Sequence, residues 1–276
     1  MRADSMPAVT VHCLGNFRLE INGVPVAHWR AGKARALFQY LLVNRGRLVH
    51  RDRLHEVLWP DSDDRSSSSL KVAVHAVRRV LGTHQKDDGF QLVHRDHGYM
   101  LQARSAWVDL EEFERAFQEG REAWSAKDHQ RALERFQTAA DLYTGDFLAG
   151  ETGDWINEQR QWAQSVALRA LAVLRADSLE REDWPAAMHW CRRVISLDPY
   201  HEDTYQTLMM MHGELGELGR VRDWYELCRR RLSNDLDTEP TERTEQLLAS
   251  LTRRGERSLG PALVGGPALV GAPSPV

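Results

Sequence analysis

The chain has 276 residues, 42% of them apolar and 28% charged, which is enough for two domains with real cores and too polar for a membrane-embedded protein. It contains no run of about 18 apolar residues, and the opening MRADSMPAVTVH lacks the apolar core of a signal peptide, so a cytoplasmic protein without a membrane partner is expected. Net charge is −4, but the first 104 residues carry 16 Lys and Arg against 10 Asp and Glu and the remainder 20 against 30, the asymmetry expected when the front half meets nucleic acid.

The front half begins with strand-like pieces, VTVHCL (9–14), FRLEI (17–21) and VPVAHW (24–29). Asn22-Gly23 between the last two is a hairpin signal, because a type I′ turn needs positive φ at both central residues. GKARALFQYLLVNRG (32–46) reads as a helix stopped by Gly46, and HRDRLHEVLWP (50–60) as a shorter helix ended by Pro60. After the acidic, turn-rich PDSDDR (60–65) comes a third helix, SSSSLKVAVHAVRRVLG (66–82).

At 100° per residue this third helix places Leu70, Ala73, Val74, Val77 and Leu81 on one apolar stripe. The opposite arc carries Ser68, Lys71, Val72, His75 and Arg79, with Arg78 at its edge, and no carboxylate lies between Ser66 and Leu81. A solvated face usually mixes both charge signs, so a purely basic and hydroxylic one points to an anionic partner. GFQLVHRDHGYMLQA (89–103) then reads as two strands joined by a tight Asp96-His97-Gly98 turn. A small sheet, three helices and a hairpin, in that order, is the arrangement of a winged helix-turn-helix, in which the third helix enters the major groove of double-stranded DNA.

From about Trp107 onward the pattern is helical. Segments 127–143, 182–199 and 218–236 repeat, superposing Ala132, Ala187 and Trp224, and also Cys191 on Cys228, with the character of the second helix of a tetratricopeptide repeat. Trp59, Trp155, Trp162, Trp184 and Trp190 fall at helical spacings and are expected in the core. The tail GPALVGGPALVGAPSPV (260–276) is low in complexity and is expected to be disordered. The fold class expected is thus mainly α with a small β component, a winged helix-turn-helix followed by an all-α, tetratricopeptide-like domain. The expected boundaries are a disordered 1–8, a DNA-binding domain at 9–106, a helical domain at 107–252 and a disordered 253–276.

These stretches resemble the Streptomyces antibiotic regulatory protein family, which joins a winged helix to a bacterial transcriptional activator domain. GKARALFQYLL, RDRLHEVLWPD, LKVAVHAVRRVLG and HGYML are similar to the family's three helices and wing. VDLEEFERAF (108–117), YTGDFLAGETGDWINEQR (143–160), LDPYHEDTYQTLM and LDTEPTERTEQLLASL resemble its later signatures. The resemblance covers roughly residues 9–252. It implies an activator of secondary-metabolite (antibiotic) gene clusters that binds direct repeats upstream of promoters and engages RNA polymerase with its sigma factor. A direct repeat would seat two protomers head to tail, a dimer on DNA. The third helix departs from the commoner family pattern of Arg, Thr or Gln, having Val72 and His75, so the operator sequence does not carry over.

Lys71, Val72, His75 and Arg79 are the candidates for base edges: the cations for guanine O6 and N7, the valine for a thymine methyl. Lys33, Arg35, Arg51, Ser68, Arg78, Arg95 and His97 are candidates for phosphates. Asp61, Asp63 and Asp64 could face a basic polymerase surface. No catalytic residue is expected, since the chain has no Gly-rich phosphate loop, no GxSxG and no HExxH, and PDSDD lacks the spacing of a calcium loop. Cys13, Cys191 and Cys228 form no CxxC pair and no metal-ligand cluster; buried reduced thiols, no metal and no cofactor are expected. The competing reading is a helical-repeat scaffold whose winged helix binds protein, and the carboxylate-free third helix argues against it.

Overall fold

The computed structural model describes residues 9–29, 32–60, 67–82, 90–103 and 106–258. Packing divides the chain into two units, residues 1–170 and 171–276.

In the first unit, β1 (Val9–His12) pairs antiparallel with β2 (Arg18–Ile21), burying Val9, Val11, Leu19 and Ile21. Asn22 and Gly23 lie at φ 51° and 75°, the type I′ turn their residue types call for, and lead into β3 (Val24–Pro25), which is shorter than the apolar run suggests. Helix α1 (Ala34–Val43) buries Leu37, Phe38, Tyr40 and Leu41 and stops before Gly46, whose φ of 76° favours glycine. A two-residue strand, β4 (Val49–His50), precedes α2 (Arg51–Leu58) and α3 (Ser67–Gly82).

The wing is β5 (Phe90–Arg95) and β6 (Gly98–Ala103), with Arg95 paired to Gly98. Its turn is therefore the two residues Asp96 and His97, both at positive φ (41° and 62°). Gly98 belongs to the strand rather than to the turn. It is glycine for another reason: β4 pairs with β6 here, and a Cβ at Gly98 would lie 2.6 Å from the Val49 carbonyl oxygen. The last strand of the unit, β7 (Ala106–Val108), runs parallel to β1 and completes a sheet in the order β3-β2-β1-β7.

Helices α4 (Asp109–Ser125), α5 (His129–Leu142) and most of α6 (Asp154–Glu180) pack in the same unit. Between α5 and α6 the chain returns to the sheet. Leu14 bridges Phe147, the Leu148 N–H donates to the Cys13 carbonyl at 2.8 Å, and the Gly15 N–H to the Asp146 carbonyl at 3.0 Å. The Arg160 guanidinium donates to the carbonyls of Phe147, Leu148 and Glu151, each at 3.2 Å, which ties the irregular segment to α6.

The second unit holds α7 (Trp184–Leu197), α8 (Glu202–Glu214), α9 (Leu218–Leu236) and α10 (Glu242–Ser258). Its core gathers Ala187, Cys191, Tyr205, Leu208, Met211 and Cys228, so the two cysteines that superpose in sequence share one cluster. The repeat is visible in the backbone. Lys127, Glu182 and Gly216 each take positive φ (62°, 55° and 73°), and the next residue's N–H reaches back to the carbonyl five positions earlier. Glu182 and Gly216 stand one repeat period, about 34 residues, apart. At α10 the Thr241 N–H and hydroxyl donate to the Glu202 carboxylate at 2.8 and 2.7 Å, and Thr244 joins them, which fixes α10 to α8. All three cysteines are free and buried, and burial pushes the thiols up, to about 11 for Cys191 and about 12 for Cys228.

The tryptophans depart from expectation. Only Trp190 is buried; Trp59, Trp155 and Trp184 are half-buried, and Trp162 is exposed along one edge. Indoles are too large to be enclosed at the margins of small cores, so they close those margins instead.

Candidate nucleic-acid interface

Helix α3 buries Leu70, Ala73, Val74, Ala76 and Val77, while Leu81 is only half-buried at its end. Each of the larger side chains contributes roughly 1.5–3 kcal/mol to holding the helix in place. The other face carries Ser68, Lys71, Val72, His75, Arg78 and Arg79, all exposed, and no carboxylate. The wing tip exposes Arg95, Asp96 and His97. The Arg51 N–H donates to the His97 carbonyl at 3.1 Å, so the start of α2 and the wing turn form one continuous edge.

The phosphate candidates divide into two groups. Lys33 is exposed at the start of α1 and lines a hollow of about 260 Å³ with Trp59, Ser68, Ser69, Val72 and Ala73, which joins it to the recognition face. Arg51 is exposed and lies 3.7 Å from the Asp52 carboxylate, a weak surface pair. Arg35 and Arg78 are engaged within the protein. The Arg35 guanidinium pairs with Glu151 at 2.7 Å and sits 5.1 Å from the Phe17 ring centre, and Arg78 donates to the Leu92 carbonyl of β5 at 3.3 Å. Arg78 thus braces the recognition helix against the wing. Asp61, Asp63 and Asp64 lie outside the described residues.

Residues that the sequence pattern does not single out position this surface. The Asp109 carboxylate, 2% exposed, accepts hydrogen bonds from the N–H groups of Cys13 (2.7 and 2.8 Å), Leu14 (2.9 Å) and Leu110 (2.7 Å). Burial raises its pKa more than these three donors lower it. Tyr40 of α1 meets Trp155 edge to face at 5.2 Å, and Arg45 joins Glu111 of α4 while its guanidinium lies 6.0 Å from the Phe90 ring centre. Arg35 and Tyr40 of α1, and Arg45 just beyond it, are thus tied to Glu151, to Trp155 of α6 and to Glu111 of α4. The signal for these contacts in the sequence is the family signature at 143–160, which announces that the residues matter without saying what they touch. Among the described residues, no cluster of three His, Cys, Asp or Glu side chains is placed to hold a metal ion, and no helix is long and apolar enough to cross a membrane.

A winged helix with a basic third helix, followed by tetratricopeptide-like helices, defines a DNA-binding transcription regulator. Residues 29–101 match the model described as "Transcriptional regulatory protein, C terminal", and residues 108–252, just over half of the chain, match "Bacterial transcriptional activator domain". The chain belongs to the Streptomyces antibiotic regulatory protein family of transcriptional activators. It is 24% identical to the regulatory protein DnrI of Streptomyces peucetius over 88% of this chain and 92% of that protein. It is 27% identical to the transcriptional regulator RedD of Streptomyces coelicolor over 76% of this chain and 61% of that protein. The structure of Mycobacterium tuberculosis EmbR in complex with a low-affinity phosphopeptide shares its fold, at a TM-score of 0.67 and 20% identity over 91% of this chain and 68% of that one. The family is one of transcription regulators, which are not enzymes.

Proposed function

We propose that this chain is a pathway-specific activator of a secondary-metabolite gene cluster, which binds direct repeats upstream of promoters as a dimer and recruits RNA polymerase through its sigma factor. The observation that carries the reading is the exposed face of α3, which sets Ser68, Lys71, His75, Arg78 and Arg79 around Val72 without a carboxylate and is held in place by a buried apolar stripe. Lys71 and Arg79 reach base edges, while Lys33, Arg51, Arg95 and His97 meet phosphates on either side. Head-to-tail half-sites would lie about one helical turn apart. The family membership supports activation, and the names of the relatives support regulation; neither specifies the operator.

With Arg35 and Arg78 engaged internally, Lys33, Arg51, Arg95 and His97 remain for phosphates, and log K should fall with log salt with a slope of about −3 to −4 per protomer. Fluorescence anisotropy across a salt series on upstream promoter DNA measures this. A slope near zero would contradict duplex binding.

A further inference from the structure

Val72 is the most exposed of the large hydrophobic side chains among the described residues, at 61%. Neither packing nor local preference accounts for it. It buries little, and a β-branched residue is a poorer helix former than the Lys, Gln or Arg that solvent would accept at the same position. It stands in the middle of a polar face, on the wall of the hollow whose other apolar lining is Trp59 and Ala73 and whose polar rim is Lys33, Ser68 and Ser69. Lys71 and His75 flank it on the helix.

In the major groove the C5 methyl of thymine is the one apolar group a base pair presents; cytosine at the same edge offers an amino donor. An aliphatic side chain on a recognition helix therefore discriminates by burying that methyl. Resting on the reading of α3 as the DNA-reading helix, we infer that Val72 and the hollow beside it seat a thymine methyl group, with a phosphate of the same strand held at the rim by Lys33 and Ser69. The walls supplied by Trp59 and Ala73 keep water from the methyl. The charge and hydroxyl at the rim hold the strand in register without reading sequence. Each repeat of the operator then contains one thymine whose methyl group is read by this residue.

The test begins with selection of duplexes from a randomised 30-base-pair library by the full-length chain. Each thymine of the enriched site is then replaced by deoxyuridine, which removes the methyl and nothing else. Burying one methyl corresponds to about fourfold in affinity. Wild type should lose about fourfold at one thymine per repeat, and Val72→Ala should bind the unmodified site correspondingly more weakly and be indifferent to deoxyuridine there. Because Val72 is exposed, its replacement leaves the core intact, and an unchanged thermal melt verifies this. Lys33→Gln should weaken binding to all sequences yet keep the deoxyuridine effect. The inference is overturned if every deoxyuridine substitution is neutral, or if the same one costs as much in Val72→Ala as in wild type. Failure to enrich any duplex would overturn the DNA-binding reading itself, and the inference with it.

Discussion

Asp109 shows how much a single side chain can hold. Its carboxylate is the shared acceptor for three backbone N–H groups from the end of β1 and the start of α4, in a place water does not reach. Asp109→Ala strands those donors, at about 1–3 kcal/mol each before relaxation, and should cost about 3–5 kcal/mol in urea unfolding. Asp109→Asn keeps one acceptor and should cost less. Because burial raises the folded pKa, ionisation is harder in the fold than in the unfolded chain. The stability this group contributes is therefore full below the unfolded carboxylate range and is lost as pH rises through the folded value. The margin of wild type over Asp109→Asn should narrow as pH rises from the unfolded carboxylate range through the raised folded value; a margin that widens would mean the three donors outweigh desolvation. On the DNA-binding face, Arg79→Ala should cost roughly 1–3 kcal/mol on the cognate repeat and little on scrambled DNA, whereas Arg95→Ala should weaken both about equally. Identical behaviour of the two variants on both duplexes would make Arg79 a phosphate contact.

At the scale of elements, what could be read from the sequence follows from which signals are local. Helix α3 was legible because its burial repeats every third or fourth residue, and the β2–β3 turn because Asn22-Gly23 states its own backbone angles. β4 and β7 were not legible, since strands of two and three residues have no period, and their pairing with β6 and β1 depends on partners about 50 and 97 positions away. The hairpin of the wing is legible in its alternating strands, but the Asp96-His97-Gly98 sequence suggests a turn glycine, whereas Gly98 lies in β6 and lets β4 approach. Gly98→Ala should accordingly destabilise the wing by about 1–3 kcal/mol, read by hydrogen exchange of the β5–β6 amides. An unaffected wing would mean that β4 can retreat at no cost. For the candidate site, the residues of the exposed face were legible, and those that brace it were not. The internal partners of Arg35 and Arg78 lie on a distant segment and on a backbone carbonyl, and neither leaves a spacing pattern.

At the scale of the molecule, the first unit extends well past the wing, because the sheet, α1 and the wing are joined to residues 106–160 through β7, Asp109, Glu111, Phe147, Glu151 and Trp155. A fragment ending at residue 106 loses most of β7 and the carboxylate that caps β1. It should fold poorly, whereas residues 1–180, which keep α6 whole, should fold and bind the operator. Far-UV circular dichroism melts compare the two, and equal cooperativity would show the seam to be dispensable. The remaining helical repeats are then free for a task other than reading DNA, as stacked repeats commonly are. On the proposed function, the first unit reads the operator and the second contacts polymerase. The most direct measurement is a purified transcription assay in which full-length protein and residues 1–180 are compared at matched promoter occupancy, set by footprinting. Stimulation by the full chain alone is the predicted result. Equal stimulation by the fragment would contradict it and place the activating surface within the first unit.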